Sequence, residues 1–159
     1  MTWFDVVALL LVASVAWLES QRGFGRSLFD LVGAIISLKL AEWISDMLVD
    51  AAPVLATPNG THALWFSVVF LVFAALTILG TKVIYDTTLL SLDVLDPLVG
   101  AVFGIAAGII VAHVFLRTLM LGYTGNDLSM LLSSFTGQEL LKFRTYHSAV
   151  TALQNLGNW

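Results

Sequence analysis

Apolar residues fill four long stretches of this chain, and polar and turn-forming residues separate them. A helix needs about 20 mainly apolar residues to cross the hydrocarbon layer of a bilayer. The pattern predicts four membrane spans, at about 2–20, 27–49, 63–84 and 97–121. The fourth is expected to begin at Asp96-Pro97, because the aspartate can cap free amides and proline needs no hydrogen bond at the first helical position.

The second stretch is the most polar of the four. Its longest uncharged run, 31–38, is far shorter than a span. At 100° per residue, its distal charges fall within about 80° of the helix circumference. We call this group the polar arc: Lys39, Glu42, Asp46 and Asp50. Two hypotheses follow, a local ion pair between Lys39 and Glu42 near the outer interface or a wet transport path.

Small residues recur at helical spacing in two of the predicted helices. The second carries Asp30, Ala34, Ser37, Ala41 and Ser45, and the fourth carries Gly100, Gly104 and Gly108. Helices in lipid associate through packing, and small residues let their backbones approach closely. We therefore predict that the two stripes pack against each other. A gating hinge at the glycines is the alternative.

The chain changes character after residue 121, where glycines end the fourth span. A helical pattern returns over about 137–156, with capping-box spacing between Thr136 and Glu139. This segment is too polar to span and is typical of an interfacial amphipathic helix. The predicted fold is an all-α membrane protein, with a four-span membrane domain at 1–121 and an extramembrane tail at 122–159.

Composition excludes several classes of protein. A soluble domain could not carry 58% hydrophobic and 11% charged residues, since its surface needs more polar cover. With seven Lys and Arg and no basic stripe, nucleic-acid binding is not expected. The chain has no cysteine, its three histidines lack metal-ligand spacing, and no nucleophile arrangement stands out. We expect no cofactor, no metal site and no enzymatic activity.

The basic residues predict the orientation. Cytoplasmic loops carry an excess of Lys and Arg, and the first loop usually weighs most. Arg22 and Arg26 lie in the first loop, against no basic residue at 51–62, so the first loop is expected in the cytoplasm and both termini outside. Lys82 agrees with this orientation. Three residues oppose it: Arg117, Lys142 and Arg144.

Three motifs in order carry a resemblance to a known family. They are Trp3-Phe4-Asp5, then Arg22-Gly23-Phe24, then Asp96-Pro97-Leu98-Val99-Gly100-Ala101-Val102-Phe103-Gly104 continuing to Gly108. With these, residues 2–121 resemble the colicin V production protein family of bacterial membrane proteins. Members commonly have basic residues where this chain has Pro97 and Ala107. Arg22 and Arg26 are therefore the main basic groups at that end.

The resemblance implies a role in the bacterial inner (cytoplasmic) membrane, as a multi-pass protein with periplasmic termini. It implies a non-enzymatic accessory protein that assists toxin production and export or envelope homeostasis. Its partners would be the lipid bilayer and other membrane or envelope proteins, and a homo-oligomer stays open. Arg22, Gly23, Phe24 and Arg26 would form a turn first and a partner or headgroup contact second. The alternative is a small oligomeric channel or transporter lined by the polar arc.

Overall fold

The computed structural model describes residues 2–88, 96–145 and 147; most of these are helical and none of them lies in a strand. Four long helices come first: α1 (Trp3–Arg22), α2 (Phe24–Ala51), α3 (Pro58–Thr88) and α4 (Asp96–Gly122). A short helix α5 (Asn126–Ser133) and a π-helical turn (Gly137–Leu141) follow. The all-α class is confirmed.

Three of the described helices are long and apolar enough to cross a membrane, namely Trp3–Arg22, Pro58–Val83 and Asp96–Gly122. The chain is therefore a multi-pass membrane protein. α2 has 28 residues and is about 42 Å long at 1.5 Å per residue, which is enough to cross a bilayer. Because α2 carries more charged residues than the other three long helices, it is not among the helices that are apolar enough to span a membrane by composition. The count of four spans stays a prediction.

The three glycines of α4 face the backbone of α1. A Cβ atom added at any of them would come within 2.8 Å of an α1 backbone atom. Gly100 faces Glu19, Gly104 faces Ala16 and Gly108 faces Val12. The order is reversed, so the two helices run antiparallel. The prediction that these glycines pack on the small residues of the second helix is wrong, because the groove they form admits the α1 backbone itself.

The small residues of α2 face α3 and α4 instead. Ala41 is fully buried in an apolar cluster with Phe66, Phe70 and Val114. About two turns earlier on α2, a Cβ atom added at Gly33 would lie 2.7 Å from the Cβ atom of Thr77 on α3. Ser37 is also buried and donates its hydroxyl to the backbone of its own helix. This stripe gives α2 a close seam with α3.

The tail differs from its predicted form. Thr136 does not cap a helix through its side chain, because its backbone N–H and its hydroxyl both donate to Asp5 Oδ1 at 2.8 Å. The π-helical turn ends at Leu141, and Phe143 adopts a positive φ of 48°. The helix predicted over about 137–156 is thus interrupted at Lys142 and Phe143. Its residues 146 and 148–156 lie outside the described ones.

Candidate functional site

The residues Arg22, Gly23, Phe24 and Arg26, which we call the signature loop, surround a turn of one residue. α1 ends at Arg22, α2 begins at Phe24, and Gly23 between them has a φ of 82°, which favours glycine. Glycine has no side chain with which to cap the next helix. The carboxylate of Asp96 supplies the acceptor, since the Phe24 N–H donates to Asp96 Oδ1 at 3.3 Å. Asp96 thus accepts a hydrogen bond from the first backbone N–H of α2. The residues around Asp96 in the sequence do not indicate this role.

The motifs that carry the resemblance meet in space. The Phe24 ring lies 5.7 Å from the ring of Phe103 on α4, beside the Asp96 contact. At the other end of the bundle, Phe4 is buried against Leu116, and Asp5 holds the tail through Thr136. The motif residues therefore join α1, α2, α4 and the tail into one body.

Arg22 lies inside a cluster of charges, which we call the Arg22 cluster (Glu19, Arg22 and Asp30). Its Nη1 atom is 2.8 Å from Glu19 Oε1 and 2.9 Å from Asp30 Oδ2. The two acidic residues are only 4% and 8% exposed. The guanidinium of Arg22 is thus engaged within the protein. Arg26, also expected at a contact, is half-buried.

Sequence reasoning missed the role of Glu19. Its spacing of three residues from Arg22 is a signal for a pair on one helix face. Asp30 is singled out by the sequence only as a member of the small-residue stripe. Their common partner becomes visible once the Gly23 turn brings α2 back beside α1.

The polar arc centres on Glu42. Lys39 Nζ lies 3.0 Å from Glu42 Oε2, and Arg117 Nη1 on α4 lies 2.6 Å from Glu42 Oε1. The Arg117 guanidinium also lies 5.4 Å from the centre of the Phe66 ring. Asp46 Oδ1 pairs with His62 Nε2 at 3.0 Å. The arc therefore bridges α2 to both neighbouring helices.

The arc is nevertheless open on its outer side. The side chains of Lys39 and Asp46 are 73% and 71% exposed, against 24% for Glu42. His113, one turn before Arg117, turns toward the tail and places Nδ1 2.7 Å from the carbonyl oxygen of Leu140. Within the described ranges, no three metal-ligating side chains gather at a common point.

Comparisons with known proteins give one finding. A sequence model of a family described as colicin V production protein matches residues 4–142. The matched range contains the signature loop, the α4 glycines and the π-helical turn, so it extends beyond the residues that carry the resemblance. No curated protein and no solved structure matches the chain.

Proposed function

Because the chain belongs to the colicin V production protein family, we propose that it is an accessory protein of the bacterial inner membrane. In this role it catalyses no reaction and assists toxin production and export or envelope homeostasis. It does so by associating with other membrane or envelope proteins, and it can assemble as a homo-oligomer. The family match over 4–142 is the observation that carries the proposal.

The placement of the motif residues supports this role. The α4 glycines, Asp96 and Phe24 are engaged in contacts between helices. Because these contacts hold the helices in fixed positions, the bundle presents a defined surface to which a partner protein can bind. The exposed outer side of the polar arc offers charged side chains, Lys39 and Asp46, to such a partner.

The proposed orientation places the Gly23 turn in the cytoplasm and both termini in the periplasm. Arg22, Arg26 and Lys82 support it through the positive-inside rule. A reporter enzyme that is active only in the cytoplasm, fused after Trp159, should be inactive. The same reporter inserted between α3 and α4 should be active, and the opposite pattern would reverse the orientation.

Export of active colicin V measures the proposed function directly. Toxin-producing cells without this chain should release less active toxin than cells complemented with it. The variant Arg26→Gln tests a contact at the cytoplasmic end, and Lys82→Gln, an exposed basic residue near the same end, is its matched control. Unchanged toxin release in cells without the chain would contradict the proposal.

The exposure of Lys39 favours one alternative, a channel or transporter lined by the polar arc. Ionisable groups at membrane depth are expensive and often line substrate or ion pathways. Ion flux through the purified protein in liposomes would support this function if Lys39→Ala and Glu42→Ala abolish it while Lys142→Ala does not. An absence of flux in folded, reconstituted wild-type protein favours the accessory role.

A further inference from the structure

The tail folds back along the membrane helices. We call residues 134–143 the tail segment, which runs from the end of α5 through the π-helical turn to Phe143. A cavity of about 220 Å³ lies between this segment and α1, and its wall includes Leu140 of the segment and Val12 of α1. A second cavity, of about 150 Å³, is lined by Phe143 of the segment and Leu38 of α2. The segment therefore lies against the sides of the membrane helices.

The length of α1 indicates how deep the tail segment lies. α1 has 20 residues and is about 30 Å long, which is the thickness of the hydrocarbon layer. Its start at Trp3 therefore marks one surface of that layer. Ala8 and Val12, which line the cavity beside the segment, lie five and nine residues after Trp3. At 1.5 Å per residue they are about 7.5 and 13.5 Å below this surface along the helix axis.

α4 gives the same depth. Gly108 faces Val12, so the neighbouring Ile109 lies at the level of Val12. Ile109 lines both cavities, although α4 continues beyond it to Gly122 for about 20 Å. A bilayer surface at the level of Val12 would leave only residues 13–22 of α1 in the hydrocarbon layer, about 15 Å, which is half of its thickness. The tail segment thus lies below the surface that the start of α1 marks.

Side chains of the membrane helices satisfy the irregular backbone of the tail segment. Asp5 Oδ1 accepts the Thr136 N–H and the Thr136 hydroxyl, both at 2.8 Å, and Asp5 is only 1% exposed. His113 Nδ1 lies 2.7 Å from the carbonyl oxygen of Leu140. At a bilayer surface, water would satisfy such groups. Non-helical backbone at membrane depth is tolerated only where the protein itself supplies the partners.

From the depth and these hydrogen bonds we propose that the tail segment is re-entrant, inserted in the leaflet on the side of the bundle where α1 begins. Phe135 and Phe143, which are 64% and 52% exposed, then contact lipid acyl chains instead of water. Asp5 and His113 are positioning residues that hold the segment there. This placement differs from that of an amphipathic helix lying on the membrane surface, and it is the same whichever compartment that leaflet faces.

The charged residues near the end of the segment limit its depth. Lys142 and, just after the segment, Arg144 are both exposed. Their long apolar stems let the charged ends reach the headgroups while the backbone lies deeper. The carboxylate of Glu139 accepts the Thr145 N–H at 3.2 Å. The segment therefore lies in the part of the leaflet next to the headgroups and does not approach the centre of the bilayer.

Spin labels at single cysteines test this depth. The chain contains no cysteine, so one can be introduced without any other change. Nitroxide labels at Phe135→Cys and Phe143→Cys are studied in liposomes by power-saturation electron paramagnetic resonance, with oxygen as the lipid-soluble relaxing agent and a nickel chelate as the water-soluble one. Leu10→Cys on α1, where Leu10 is 61% exposed, is the lipid reference. Val54→Cys, between α2 and α3, where Val54 is 56% exposed, is the water reference.

The ratio of oxygen collisions to nickel-chelate collisions decides the outcome. At Phe135 and Phe143 it should be close to the ratio at Leu10 and several times the ratio at Val54. A ratio nearer to that of Val54 would overturn the proposal. Low collision rates with both agents would overturn it as well, because another protein chain would then cover the two side chains. Circular dichroism and gel filtration check that each labelled protein is folded.

Asp5→Ala tests how the segment is held. It removes the acceptor of the Thr136 N–H, so the label at Phe135 should move toward the headgroups and its collision ratio should fall toward that of Val54. Asp127→Ala removes an exposed carboxylate from the same tail and is the matched control, which should leave the ratio unchanged. An unchanged ratio in folded Asp5→Ala would overturn the positioning role of Asp5. Toxin release is not measured here, so the result is independent of the proposed accessory function.

Discussion

Two groups of charged residues on α2 have opposite surroundings. Asp30, near the Gly23 turn, is 8% exposed and shares Arg22 with the buried Glu19. Lys39 and Asp46, in the polar arc, have side chains that are 73% and 71% exposed. The Arg22 cluster therefore belongs to the interior of the bundle, whereas the polar arc remains available to lipid, water or a partner. Substitutions in the buried Arg22 cluster are therefore expected to lower the free energy of unfolding more than substitutions in the exposed polar arc.

The largest effect is expected at Arg22. Arg22→Gln leaves two buried carboxylates without their cation, and breaking a buried ion pair costs about 3 kcal/mol or more in free energy of unfolding. Reversible unfolding of the detergent-solubilised protein in sodium dodecyl sulfate measures this loss. Arg144→Gln, on the exposed tail, is the control and should change little. Similar losses in the two variants would show that the Arg22 cluster is not shielded from water.

A smaller loss is expected where α4 meets α1. The Cβ atom of Gly104→Ala would lie 2.7 Å from Ala16 Cα, so the helices must move apart, and overpacking of this kind costs about 1–3 kcal/mol. Gly80 is the matched control, because no atom lies within 4 Å of an added Cβ there. In the same unfolding assay Gly80→Ala should be neutral or stabilising by up to about 1 kcal/mol. A destabilisation of equal size at both positions would contradict the observed packing.

The long helices could be predicted from the sequence because their signals are local. Apolar runs and turn residues place the second span at 27–49, and α2 extends over Phe24–Ala51. The partners could not be predicted in this way. Asp96 accepts a hydrogen bond from Phe24, 72 residues away in the sequence, and Arg117 donates one to Glu42, 75 residues away. Such pairs depend on which helix lies beside which, and a period of 3.6 residues shows only that a face is small or polar.

The glycine stripe shows the same limit. Its spacing indicates correctly that another helix approaches closely, but close approach to glycine requires no small residue on the partner. Val12 and Glu19 lie against α4 although neither is small. The small residues of α2 pack against other parts of α3 and α4 instead of against these glycines. The sequence therefore predicted some residues of the candidate site, such as Arg22 and Asp96, but not Glu19. Their contacts could be found only from the tertiary structure.

Substitution of Arg117 should have an effect on stability between that at the buried Arg22 and that at the exposed Lys39. Its guanidinium bonds to Glu42 at 2.6 Å and lies over Phe66, and its side chain is 34% exposed. Arg117→Gln should lower the free energy of unfolding by about 1–2 kcal/mol, because it removes a half-exposed ion pair and a cation–π contact. Arg117→Lys retains the charge but not the planar group, so about half of that loss should remain. An effect as large as that of Arg22→Gln would remove the distinction between the polar arc and the Arg22 cluster.

The smallest effect is expected at Lys39. Its pair with Glu42 is exposed, and pairs three residues apart on a helix contribute about 0.5 kcal/mol or less. Lys39→Gln should therefore change the free energy of unfolding by no more than that in detergent, since Arg117 still neutralises Glu42. A loss above about 1 kcal/mol exceeds what an exposed pair contributes. Shielding of Lys39 by a second copy of the chain would account for such a loss, and cross-linking before and after the substitution tests for that contact.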